Sequence, residues 1–140
     1  MTGHFPVPKP QRKPRERKPL KSGGRVRPVN KERKAAEFAR TYHSVERVEF
    51  VKSMACIFAR AIAAAACDGG VENCHVCDDG TKGAGRKSGY RCVAPACWRH
   101  HRLVLHRYTP EVIKAVYGLD LEAEAAATQS VWEAVSGGGE

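Results

Sequence analysis

The sequence predicts an α+β fold: two helices, a β-hairpin with a long loop, then further helices, around a core too small to stand without help. Three observations predict it. Helix-period segments flank one short stretch with strand character, residues 72–93. Hydrophobic residues make up 42% of the chain, but much of that is alanine, so bulky core residues are scarce. Six cysteines offer what such a core lacks, a bound metal or a cross-link. A length of 140 residues suits one domain with appendages.

The N-terminal segment 1–34 reads as a disordered basic arm. It holds twelve Lys and Arg against Glu16 and Glu32, and six of the eight prolines. Its net charge of +10 exceeds the whole chain's +9, so the remainder is close to neutral. Such an arm attracts polyanions by displacing their counterions, without reading sequence. The opening MTGHFPVPKP has no apolar run of signal-peptide type, and no stretch approaches the roughly 20 apolar residues that span a bilayer. The expectation is a cytoplasmic protein with no membrane contact. In a reducing compartment the cysteines point to metal before disulfides.

Residues 35–140 read as the folded domain. Good helix formers run from Glu32 to Tyr42, with Ala35, Phe38, Ala39 and Tyr42 on one face. Ser44 can cap a second helix, in which Val45, Val48, Phe50 and Val51 form a stripe and Glu46 and Arg47 face away. Residues 57–66 are helical by propensity but sit between two cysteines. Glu72 to Cys77 reads as a strand, the glycine-rich basic stretch 80–89 as a loop, and Tyr90 to Val93 as the return strand, broken by Pro95. A helix follows from Cys97. Thr109-Pro110 opens another helix, Gly118 closes it, and Asp120 caps the last. The hairpin and its helix thus occupy 72–108 and the C-terminal helices 109–135. Val112, Ile113, Val116, Leu121, Val131 and Trp132 should pack on the hairpin unit.

Four of the six histidines, His75, His100, His101 and His106, fall in a 32-residue window, and Cys74, Cys77, Cys92 and Cys97 lie in the same hairpin-plus-helix unit. The ordered set ENCHV, GRKSGYRCVAPAC and CWRHHRLVLH resembles the HNH endonuclease superfamily, the ββα-metal or His-Me finger nucleases, in its small phage-encoded form. The resemblance covers roughly residues 44–134, with the specific part at 72–106.

That resemblance implies a small zinc-stabilised ββα-metal core, treble-clef-like, with flanking helices. It implies His75 as the general base and His101 and His106 as holders of one catalytic divalent metal, Mg2+ or Mn2+, with Zn2+ also open. It implies structural Zn2+ on Cys56, Cys67, Cys97 and His100, a closed tetrahedral set. Lys82, Arg86, Lys87, Arg99 and Arg102 would meet DNA phosphates. The implied protein is a metal-dependent DNA endonuclease, in a host cytosol if phage-encoded, as monomer or homodimer.

The chain departs from the family's pattern in three places. Cys74 stands where many members carry an acidic residue or histidine as a metal ligand. Cys56 and Cys67 are far apart for a zinc pair. His101 and His106 are five apart, and five steps of ~100° leave them ~140° out of line on a regular helix. A π-bulge would restore the register.

A rival set also fits the spacing: Cys74 and Cys77 with Cys97 and His100, giving a non-catalytic zinc module that binds nucleic acid, with His75 a spacer. A degenerate HNH protein is the third reading. Cys92 reads as a small core residue, and Trp98 as cover for the zinc.

Overall fold

The computed structural model describes residues 29–61, 67–83 and 85–137. Residues 1–28 of the basic arm, and 62–66 of the ambiguous segment, lie outside the described residues. The last residues assigned to the arm, 31–34, already belong to the first helix.

The elements run α1 (Lys31–Tyr42), α2 (Val45–Ser53), α3 (Ile57–Ala61), β1 (Val71–His75), a 3-10 turn (Tyr90–Cys92), β2 (Val93–Cys97), α4 (Trp98–His100), a π-turn (His101–Leu105), α5 (Pro110–Tyr117) and α6 (Leu121–Ser136). Among the described residues this is an α+β fold with one small two-stranded sheet. β1 and β2 pair antiparallel, with His75 opposite Val93 and Val71 opposite Cys97.

Local chemistry sets most boundaries. The Ser44 hydroxyl accepts from Arg47 N, and the Asp120 carboxylate accepts from Ala123 N, so each caps its helix. Pro110 opens α5, and Gly118, at φ 69°, closes it in the left-handed conformation. In the basic loop, Asp79 ties two ends together. It accepts from Thr81 N and from Gly89 N. A Cβ on Gly89 would stand 2.5 Å from that carboxylate, so the closure needs glycine.

The core is small, as the composition implies. It joins Ile57 and Phe58 of α3 to Cys74, Ala94 and Ala96 of the sheet, with Val104, Ile113, Leu121 and Ala125 from the later helices.

Four expectations are corrected. Pro95 does not break the return strand; it lies within β2, opposite Asn73. A two-stranded sheet turns every second backbone N–H outward, so a residue without one fits there. Arg47 does not face away. It is fully buried while Val45 is exposed. Its guanidinium donates to Tyr90 O and to the Gln129 side chain, which brings in partners from the 3-10 turn and α6. Val112, Val116 and Val131 are exposed, whereas Ile113 and Leu121 are buried. The return strand is Val93–Cys97 and not Tyr90–Val93, since Tyr90–Cys92 forms the 3-10 turn that leads into it.

Candidate metal centres and the strand between them

Cys56, Cys67, Cys97 and His100 form one group whose ligand atoms all lie within 4.8 Å of one another. The His100 Nδ1 is 3.1 Å from the Cys97 sulfur, 3.6 Å from Cys56 and 3.8 Å from Cys67. A tetrahedral ion at ordinary Zn–S and Zn–N lengths separates S and N by ~3.5 Å, so the set fits structural zinc. Phe58 stacks on the His100 ring at 4.6 Å and fixes its plane. Burial acts to raise the Cys97 thiol, but hydrogen bonds from the backbone of His100 and Asp68 and from the Cys56 and Cys67 side chains outweigh it and its pKa is lowered.

The rival ligand set is not assembled. Cys74 is wholly buried on β1 and falls in a second group, with Glu72 and His101, and its thiol is pushed up to about 12 by burial. Cys77 lies beyond the strand beside Cys92. Burial raises its thiol to about 12, with the Cys92 sulfur adding to the effect. Cys92 is buried, as its small-residue reading implies.

The second centre is built by the π-turn. His106 N donates to His101 O, the i to i+5 bond that adds one residue to the turn. That extra residue puts the two rings on one side of the helix. Their Nε2 atoms are 3.0 Å apart, with the rings perpendicular. Two nitrogens held ~2.1 Å from one ion at a right angle lie ~3 Å apart, so the pair fits a divalent metal.

Glu72 is the residue the sequence reading missed. Its carboxylate pairs with His101 Nδ1, the ring's other nitrogen. Strand alternation carried the signal: Glu72 and Cys74 share one face of β1, and that face meets the metal helix.

His75 lies on the other face. Asn73, its neighbour on that face, donates to Val48 O on α2. The His75 ring stands edge-on to Tyr42 at 5.5 Å. Both ring nitrogens are buried, and neither has a hydrogen-bond partner among the described residues. Burial, then the positive charges of Lys87 and Arg40, push its pKa down to about 4. Lys87 donates to the Tyr42 hydroxyl at 2.7 Å and lies over its ring. α1 is tied to the loop by Arg40, which donates to Thr81 Oγ1 and Lys87 O.

A cleft of about 330 Å³ lies beside β1, with His75 and His106 outside its lining. Tyr42, Asn73, Lys87, Glu72, His101 and Arg102 line it. Lys82, Arg86, Arg99 and Arg102 are exposed, and Arg86 also reaches Glu37 at 3.5 Å.

A scan against protein-family models found no match, and searches of curated proteins and of solved structures found none either. What the fold and the two ligand groups define is an α+β chain with a candidate metal-binding site. Among the described residues no helix is long and apolar enough to cross a membrane.

Proposed function

We propose that this chain is a DNA endonuclease of the HNH type, with zinc on Cys56, Cys67, Cys97 and His100 replacing core that the sequence does not supply. The observation that carries this reading is the His101–His106 pair, brought face to face by a π-turn. A divalent ion held there would bind a phosphate oxygen and steady charge on the leaving oxygen.

The protein's own residues do the rest. Lys87 and Arg102 line the cleft and would seat the phosphodiester, with Lys82, Arg86 and Arg99 on flanking phosphates. The basic arm raises the local concentration of DNA without reading it. Covered by Tyr42, His75 is a weak base, its pKa pushed down to about 4 mainly by burial; once Tyr42 has swung off and water reaches the ring, that burial is relieved and His75 takes a proton from the attacking water. A phosphate that draws Lys87 away from the Tyr42 hydroxyl removes one of the contacts that hold Tyr42 there.

The covered nitrogens of His75 also favour a second reading, a zinc-built module that binds nucleic acid without cutting it. Incubating supercoiled plasmid with the full chain and Mg2+ or Mn2+ separates the two. Nicking abolished by His101→Ala supports the nuclease. Binding with no cleavage in any metal supports the module.

A further inference from the structure

The HNH reading leaves the place before the base without an acidic ligand, since Cys74 stands there. The structure supplies a carboxylate from two residues earlier. Glu72 shares the strand face of Cys74, and its Oε2 meets His101 Nδ1. The same ring points Nε2 at His106 Nε2, 3.0 Å away. One imidazole is therefore held at both nitrogens, by a carboxylate behind and a second imidazole in front.

We propose that Glu72 is a positioning residue for a divalent-metal site between His101 and His106, resting on the metal reading above. A neutral imidazole carries one proton. With Glu72 accepting it at Nδ1, the lone pair is left at Nε2, on the side of His106. Glu72 thus selects the tautomer that can bind a metal and fixes the ring's plane. Its negative charge also makes the coordinating nitrogen more electron-rich. An intermediate-field pair of imidazoles with open positions suits Mn2+, Fe2+, Co2+ or Zn2+ better than Mg2+. Cys74 lies within reach of Glu72 and His101, but its sulfur is in the core and donates towards the carbonyls of Glu72 and Ala96, so the site is proposed without it.

The test uses the full chain loaded with one equivalent of zinc. Binding of Mn2+ is followed by electron paramagnetic resonance in the wild type, Glu72→Ala, Glu72→Gln and Cys74→Ala. Glu72→Ala should weaken Mn2+ about 10- to 100-fold. Glu72→Gln, whose amide oxygen still accepts from Nδ1, should recover part of the loss. Cys74→Ala should bind as the wild type does. Ring nitrogen spectra with a second equivalent of Zn2+ give the readout that mere packing would not move. His101 should be metallated at Nε2 and protonated at Nδ1.

Mn2+ binding unchanged in Glu72→Ala, or metal on Nδ1, would overturn the role of Glu72 alone. A wild type that takes up no second metal would overturn the metal centre itself. Metal bound as described without DNA cleavage would leave this inference standing and remove only the nuclease reading.

Discussion

His101 and His106 face each other at 3.0 Å between Nε2 atoms, although five residues separate them. An α-helix would splay the rings, and the π-turn brings them together. If the turn exists to hold a metal, the pair acts as one site. His106→Ala should lower second-metal affinity at least about tenfold while the zinc content of the protein stays at one equivalent. Calorimetric titration with Mn2+ checks this. Unchanged affinity would mean that His106 only packs on His101.

The Cys56–Cys67–Cys97–His100 group closes the fold across α3, the segment before β1, and the start of α4. With so small a core, binding energy at that group is folding energy. Cys97→Ser should lose zinc and its cooperative thermal transition together. Cys77→Ser should keep both. Zinc analysis and melting on the same samples decide it. Loss of zinc in Cys77→Ser would restore the rival ligand set.

His75 gives stability a pH dependence of definite sign. Its pKa falls from an ordinary 6.5 to about 4 in the folded chain. Below 6.5 the unfolded chain takes up a proton that the folded chain refuses. The contribution is therefore full above pH 6.5 and declines as pH falls towards 4. Urea unfolding between pH 7 and 5 should show a steeper loss in the wild type than in His75→Gln. Parallel slopes would mean that the ring is open to protons in the folded state.

Tyr42 covers His75 from the end of α1, and the next residue is strained. His43 has φ 71° and ψ −69°, and Ser44 N bonds back to Tyr42 O, a tight γ-turn rarely adopted by a residue with a side chain. Apart from that turn, polar contacts from Arg40 and Lys87 hold α1 to the loop. Tyr42→Ala should therefore expose His75, raising its rate of modification by diethyl pyrocarbonate about tenfold or more. Peptide mapping reads that rate. A rate equal to the wild type would mean that another element covers the ring.

Features written in neighbouring residues were legible in the sequence. Ser44, Asp120, Thr109-Pro110 and Gly118 announce helix ends because each acts within a few residues of itself. The five-residue spacing of His101 and His106 called for a π-bulge if both served one metal, and one is there. Arg47 was misread because periodicity sends a charge outward. Its burial depends on Tyr90 O and on Gln129, 82 residues away, which no local pattern reveals. Pro95 was misread because a strand in a two-stranded sheet tolerates what a central strand would not. Glu72 opens the quoted ENCHV but escaped notice because the resemblance gives that position no role, although alternation from Cys74 placed it on the right face. The covering of His75 by Tyr42 was not legible, since it needs the loop-to-α1 contacts that fold 45 residues back on the chain.

The central claim is that His75 is the base of a metal-dependent nuclease. The most direct measurement is plasmid nicking in Mn2+ by the wild type and His75→Ala, at matched zinc content and matched second-metal affinity. The account predicts that the wild type cuts, and that His75→Ala binds DNA and metal equally well but cuts at least about 100-fold more slowly. Equal cutting by both would contradict the assignment of His75, and no cutting by either, with DNA binding intact, would contradict the nuclease.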